Sequence, residues 1–382
     1  MSKPLHEIRA GIIGAGFIGP VHIEALRRLG VRVEAICGSK SAQGIAEAWG
    51  IPQVFLDYDY EAMLRSADLD VVHITSPNRH HFLQAKAALE AGKHVVCEKP
   101  LAMDTRETAA LVELAAARPR QVFAVNYNVR FYPAVLQLRA DVNAGRLGKI
   151  VHVNGSYFQD WLLKDTDYNW RLLAAEGGSL RAVGDIGTHW MDTVSFILGD
   201  RIDAVFACLE RLHDTRRRPA GPVQTFTSDT EGELIPYQVD TEDFAQLLLK
   251  FSGGARGNAS ISQVAAGRKN SIRIELYGSE GSACWESETP NHIEYGRRDT
   301  ANLVAQRGCP GFTDAAGLTD YPPGHAEGFP DTFKMLYRHV YAHISRAAEG
   351  APLYATAQDG HHEVELCDAI LRSHQKQSWI TL

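Results

Sequence analysis

The chain has no Cys-x-x-Cys pair; Cys37, Cys97, Cys208, Cys284, Cys309 and Cys367 stand far apart. That spacing argues against zinc ribbons and dithiol redox centres and leaves reduced thiols as the expectation. No apolar run approaches the ~20 residues needed to span a bilayer. The stretch Met1 to Glu7 lacks the basic, apolar and small-residue regions of an export signal, so the expected location is cytoplasmic, with no membrane partner. A basic stripe is also missing, and the formal charge is −7. Without an electrostatic footprint for polyanions, nucleic acid is not an expected partner and a small molecule is favoured. His325 and Glu327 fall in a Pro- and Gly-rich loop, and the neighbouring His361 and His362 project in different directions; no metal is expected. Internal repeats and low-complexity tracts are absent.

What remains is an ordinary globular composition, 45% hydrophobic and 22% charged over 382 residues. Single cores stop growing at roughly 250–300 residues, so two domains are expected. Up to residue 125, short apolar runs alternate with helical spacing. Ile8 to Gly14, Val31 to Cys37, Val71 to Thr75, His94 to Cys97 and Val122 to Val125 read as strands. Between them, Ser41 to Trp49, Asp59 to Arg65, Asn78 to Ala91 and Asp104 to Ala117 read as helices, with Ser41, Asn78 and Asp104 as N-caps. Such alternation predicts an α/β Rossmann domain with a parallel, doubly wound sheet over residues 1–125.

Residues 126–382 are expected to form an α+β domain for substrate binding and oligomerisation, built on a large, mainly antiparallel sheet. Lys149 to Phe158, Ala204 to Leu212, Phe244 to Phe251, Ala255 to Val264 and Ser271 to Gly278 alternate as strands. His213 to Tyr237 and Thr289 to Pro330 read as long loops. Asp331 to Ala348 and Asp359 to Ser373 read as closing helices, one of which is a candidate to return to the first domain.

Gly14-Ala15-Gly16-Phe17-Ile18-Gly19 follows the first strand and opens a helix, the context in which G-x-G-x-x-G binds a dinucleotide. Gly14 permits the tight turn, Gly16 admits the pyrophosphate, Gly19 allows helix and strand to pack closely, and the helix N-terminus faces the negative charge. The second strand ends in Cys37-Gly38-Ser39-Lys40, without the acid that commonly reads the ribose of NAD. Ser39 suits an unphosphorylated ribose and Lys40 a 2′-phosphate, so the reading leans to NAD and leaves NADP open. Thr75, Pro77 and Asn78 end a strand beside the expected crevice and are candidate cofactor contacts.

Glu98-Lys99-Pro100 ends the strand His94 to Cys97, placing Lys99 at the carboxyl edge of the sheet. Partly desolvated there, a lysine can polarise or deprotonate a substrate hydroxyl. Asp185 and His189 lie four apart at the start of an apolar helical stretch and would share a face, an arrangement suited to proton transfer. Gln159, Asp160 and Trp161, followed by Trp170 and Arg171, combine amide, carboxylate, aromatic and guanidinium groups. That mixture suits a pyranose, and Arg181 is a candidate for an anionic substituent.

The glycine loop, Glu98-Lys99-Pro100, and Gly177-Gly178 followed by Asp185-Ile186-Gly187-Thr188-His189 resemble, in order and spacing, the signatures of the Gfo/Idh/MocA oxidoreductases. The resemblance runs over nearly the whole chain. It implies that Lys99, Asp185 and His189 are the catalytic set, with either Lys99 or His189 as base, that Glu98 joins the cofactor region beside Phe17 and Ile18, and that Tyr127, in Asn126 to Arg130, meets substrate or nicotinamide. The Gln-Asp-Trp stretch is similar to the pyranoside-oxidising members, such as the levoglucosan dehydrogenases. The implied activity is hydride transfer between a sugar ring carbinol, C3 of a pyranoside preferred, and NAD(P). The alternative is a redox-neutral, NAD-dependent glycosidase acting by transient oxidation, elimination and hydration, for example on a sulfoquinovoside. A homodimer or homotetramer is the implied assembly.

Overall fold

The computed structural model describes residues 3–220, 233–309, 312, 317, 319–348 and 350–382. Two compact units result, Met1–Arg130 with Phe329–Val364, and Phe131–Gly328 with Glu365–Leu382. The division therefore falls at Arg130 rather than at residue 125, and a C-terminal stretch belongs to the first unit.

In the first unit β1 (Arg9–Ile13), β2 (Arg32–Cys37), β3 (Gln53–Phe55), β4 (Val71–Ile74), β5 (His94–Cys97) and β6 (Phe123–Val125) pair in parallel in the order β6-β5-β4-β1-β2-β3. Ala355–Thr356 adds an antiparallel strand beside β6. All four residues of β4 are buried, as expected when helices cover both faces of a parallel sheet. The short β3, with no fully buried position, escaped the sequence reading. Asp104 caps its helix by accepting from Glu107 N–H, and Asp59 does the same for Ala62 N–H. Ser41, expected as a cap, is instead the first residue of its helix, and Asn78 opens a short 3-10 turn ahead of the helix that starts at His81. Helix Phe329–Ile344 packs on helix Ile18–Arg28, pinned by Arg28 to Asp331 at 2.5 Å. That packing explains why a distant stretch of sequence joins this unit.

The second unit is built on β7 (Ile150–Phe158), β8 (Ile202–Glu210), β9 (Thr215–Pro219), β10 (Leu234–Gln238), β11 (Phe244–Phe251), β12 (Arg256–Ser262), β13 (Ser271–Gly278), β14 (Ser282–Glu286), β15 (His292–Gly296) and β16 (Leu303–Gln306). The large sheet runs β16-β15-β14-β13-β7-β12-β11-β8, closed by Ile380–Thr381. Among the described residues of this sheet, only β7 and β12 pair in parallel. Both expected loops contain strands: β9 and β10 form an antiparallel hairpin, and β15 and β16 extend the sheet. Residues 221–232, 310, 311, 313–316 and 318, also expected in those loops, lie outside the described residues. The hairpin's anchor is Arg216, buried because it donates to the carbonyls of Lys164 and Leu162, each at 2.9 Å, and pairs with Asp243 at 2.7 Å. A run of three arginines looks solvated in sequence, and only these distant partners make one of them internal.

Helices Pro133–Asn143 and Thr188–Leu198 pack on each other. Trp190, fully buried, donates its indole N–H to Arg273 O at 2.9 Å, which places the indole close against Gly155 of β7. A Cβ on Gly155 would sit 2.5 Å from Trp190 Nε1, so glycine is required by close approach. Gly155→Ala should lower stability by about 1–3 kcal/mol, read as a fall in the urea midpoint; an unchanged midpoint would contradict this packing.

Candidate active site

Within the first unit, Gly14 sits at φ +118° at the end of β1, where a Cβ would lie 2.6 Å from the Thr75 carbonyl carbon. Its N–H donates to Cys37 O at 2.8 Å, and Thr75 Oγ1 donates to Gly14 O at 2.9 Å. The turn is thus held between the ends of β2 and β4. A Cβ on Gly19 would approach Gly14 O to 2.5 Å, whereas one on Gly16 would meet nothing within 4 Å. Tight backbone on one side and open space above Gly16 fit a pyrophosphate. Phe17 is 62% exposed at the start of the helix beginning with Ile18. Ser39 is half-buried and Lys40 exposed after β2; Thr75 and Asn78 are buried, and Pro77 is half-buried.

Behind this loop lies a buried polar chain that sequence reasoning missed. Glu98 Oε1 accepts from His22 Nε2 at 3.0 Å and from Asn126 Nδ2 at 2.6 Å, while Oε2 accepts from Lys99 N–H at 3.1 Å. Tyr337 donates to Asn126 Oδ1 at 3.1 Å, which fixes the amide's orientation. His22 Nδ1 lies 3.0 Å from His73 Nδ1, and His73 Nε2 2.9 Å from Tyr341 Oη. Burial alone would push the Glu98 carboxyl up, but the hydrogen bond and charge of His22, with Lys99 beside it, hold it at about 2. Burial, then the neighbouring His22, keeps His73 well below the usual histidine range. Lys99 is half-buried and joined to Pro100 by a cis peptide. Tyr127 is fully buried in this unit's core. A histidine inside the apolar run of β4 was the available signal for this chain, since an interior imidazole needs partners.

In the second unit, Asp185 lies in a π-helical turn, Val183–Gly187, where Thr188 N–H donates five residues back to Val183 O. The expected α-helical start is replaced by this wider turn, a form frequent at functional sites. Asp185 and His189 are each 8% exposed. Asp185 Oδ1 lies 3.2 Å from Arg171 Nε, and Oδ2 accepts from Gln263 Nε2 at 2.9 Å. Arg171 stacks over Trp170 at 4.3 Å. At the end of β7, Tyr157 Oη and, just past the strand, Gln159 Nε2 both donate to Asn270 Oδ1 at 2.8 Å, and the Tyr157 ring lies 6.4 Å from that of His189. Burial, then the charge of Asp185, pushes the Tyr157 hydroxyl up, so it remains a donor. Asp160 is tied to Lys269 at 2.8 Å, and Trp161 is half-buried.

Arg181 departs from its expected role. Its side chain is fully buried, bonded to Asp243, to Gln263 Oε1 at 2.8 Å and to Thr241 Oγ1 at 3.4 Å. Its donors are committed within the protein, which rules it out as a reader of an anionic sugar substituent. Among the described residues, no group of three His, Cys, Asp or Glu is placed to hold a metal ion, and no helix is long and apolar enough to cross a membrane.

A glycine turn at the switch point of a parallel sheet, followed by Lys99 at the end of β5, defines a dinucleotide-dependent oxidoreductase. Residues 8–127 match the model of the oxidoreductase family with an NAD-binding Rossmann fold, and residues 135–284 that of the GFO/IDH/MocA C-terminal domain. The chain belongs to the Gfo/Idh/MocA family. It is 29% identical to the levoglucosan dehydrogenase of Pseudarthrobacter phenanthrenivorans over 98% of both chains. It is 34% identical to the D-glucoside 3-dehydrogenase of Escherichia coli over 52% of this chain and 55% of that one. A solved levoglucosan dehydrogenase in complex with NADH and L-sorbose superposes with a TM-score of 0.86 at 26% identity, covering 98% of both chains.

The buried pair makes Glu98 a pH-dependent support. An unfolded glutamate takes up its proton near 4.5, whereas folded Glu98 resists until about 2. Its contribution is therefore present above about pH 4.5 and is lost as pH falls toward about 2. Over that window the stability gap between wild type and Glu98→Gln should shrink by on the order of 3 kcal/mol, measured by urea unfolding at a series of pH values. A gap that stays constant would contradict an ionised, paired Glu98.

Proposed function

We propose that the protein is a sugar dehydrogenase that oxidises a ring carbinol of a pyranose or pyranoside, C3 preferred, with NAD as the favoured cofactor and NADP the alternative. The observation that carries this reading is Lys99 at the carboxyl end of β5, anchored through Glu98 to His22 on the helix that follows the glycine loop. Likeness along nearly the full length to a levoglucosan dehydrogenase supports a sugar, and the name of the glucoside 3-dehydrogenase supports the position. Gly14, Gly16 and Gly19 would hold the pyrophosphate, and Ser39 or Lys40 would meet the ribose. NAD, when bound there, would supply the acceptor for the hydride of the carbinol carbon. Lys99 or His189 takes the hydroxyl proton, and Asp185, ionised beside Arg171, orients and balances the charge that forms. Gln159, Asp160, Trp161 and Trp170 would line the sugar. The comparisons give no support to the redox-neutral glycosidase alternative.

A second copy of the chain is the proposed further partner. Val151, Leu248 and Tyr277 are 56%, 49% and 40% exposed on strands of the large sheet, apolar surface suited to a self-contact. Light scattering after gel filtration should give a mass that is a multiple of 42.1 kDa, and Leu248→Lys should lower it; a monomeric wild type would remove this contact.

Incubation with levoglucosan, methyl glucosides, myo-inositol and 4-nitrophenyl glucosides, with NAD or NADP, tests the main reading. Reduced cofactor should accumulate in proportion to keto sugar. Lys99→Met should lower kcat by about 10²–10⁴-fold while sparing cofactor affinity measured by NADH fluorescence. Release of 4-nitrophenol without net reduction, or full turnover by Lys99→Met, would overturn it.

A further inference from the structure

In the second unit, buried charges converge on one amide. Gln263 is 2% exposed. Arg181 Nη1 donates to its Oε1 at 2.8 Å, and its Nε2 donates to Asp185 Oδ2 at 2.9 Å. Chemistry permits only this orientation of the amide. A guanidinium has no acceptor, so the atom facing Arg181 is oxygen, and the atom facing Asp185 is nitrogen. The NH₂ in turn requires an acceptor on Asp185, which the carboxylate supplies.

The far side of the relay is equally fixed. Arg181 is paired with Asp243, which also binds Arg216 at 2.7 Å. Glu242 accepts the backbone N–H groups of Arg181, at 2.9 and 3.0 Å, and of Val183 at 2.8 Å. Those two residues lead into the turn that carries Asp185. Glu242 therefore fixes the backbone at the start of the turn, while Gln263 fixes the carboxylate it presents. Arg171, the partner of the other Asp185 oxygen, has a side chain 23% exposed and can adjust to a substrate. Gln263, pinned between an internal cation and the carboxylate, cannot.

We propose that Gln263 is the positioning residue of the dehydrogenase reaction: it holds Asp185 deprotonated and in a single orientation by passing the polarity of buried Arg181 to it. The proposal rests on the reading of Asp185 as a catalytic group. Nothing in sequence spacing marks Gln263, and no covalent step involves it.

The test uses the full chain as wild type, Gln263→Leu, Gln263→Glu and Asp185→Asn. ¹³C NMR of protein labelled at aspartate Cγ follows the Asp185 carboxyl directly, its signal being the one missing from Asp185→Asn. Removing the donor should lower the acid dissociation constant of Asp185 about tenfold. Gln263→Glu keeps an acceptor for Arg181 but sets a second carboxylate against Asp185, and should lower it further. With levoglucosan, or the sugar of the panel above that is turned over fastest, kcat at neutral pH should fall about 10- to 100-fold in both variants. The acid limb of the pH profile should move upward, and KM for NAD should stay unchanged. Circular dichroism melting verifies that Gln263→Leu folds, and Gln263→Glu serves if it does not. An Asp185 signal that titrates as in wild type in the folded Gln263 variants overturns the proposal, as do wild-type kcat and pH profile in both when Asp185→Asn is inactive. Asp185→Asn at wild-type rate overturns instead the catalytic reading on which the proposal rests, and with it any catalytic consequence of Gln263.

Discussion

The hydrogen bond between His22 and Glu98 ties the helix that follows the glycine turn to the end of β5. His22 lies on the helix that begins at the glycine turn, and Glu98 immediately precedes Lys99. An isolated carboxylate in such a place would cost several kcal/mol, so the interior supplies Asn126, the Lys99 N–H and the imidazole together. Because the same contact sets the helix against β5, the spacing between the glycine turn and the lysine is a property of the core. The helix Phe329–Ile344 belongs to that support, through Tyr337 on Asn126 and Tyr341 on His73, which is why sequence two hundred residues away folds with this unit.

The second unit solves the same problem differently. Asp185, Glu242 and Asp243 are all buried, and Arg181 and Arg216 are internal with them. Removing one member of such a cluster strands another charge, whereas the whole set is self-consistent. Burial works to raise the Asp243 carboxyl, and Arg181 and Arg216 overcome it and hold it low. For Glu242 burial prevails over its backbone donors and the charge of Arg181, and the carboxyl is raised. The two neighbours thus differ in charge character: one anchors cations, the other serves chiefly to fix the backbone of the turn.

Local chemistry was legible in the sequence. Gly14 needs its left-handed backbone, the strands of the parallel sheet need continuous apolar runs, and Lys99 follows such a run directly, so each announces itself within a few residues. The features that were missed depend on distant pairings. Arg181 and Asp243 lie 62 residues apart and His22 and Glu98 76 apart, and a charge read without its partner looks solvated. This is why Arg181 was assigned to a ligand and the arginine-rich hairpin to a loop. The π-helical turn was hidden for another reason: the spacing of Asp185 and His189 fits an α-helix, and the partner that grips the turn's first N–H, Glu242, lies 59 residues away from Val183.

That last point separates two kinds of constraint, one on Asp185 and one on His189. Where a helix start is fixed only by its own hydrogen bonds, a carboxylate on it can follow the substrate. Here the turn is clamped from outside the helix, at Arg181 and Val183, and its carboxylate is clamped again by Gln263. His189, one turn further on, is carried by regular helix whose position is set by Trp190 against Gly155. The acid and the imidazole therefore have independent supports, one electrostatic and one steric. A change at Gly155 should act through packing and leave the ionisation of Asp185 alone, whereas a change at Gln263 should act on that ionisation.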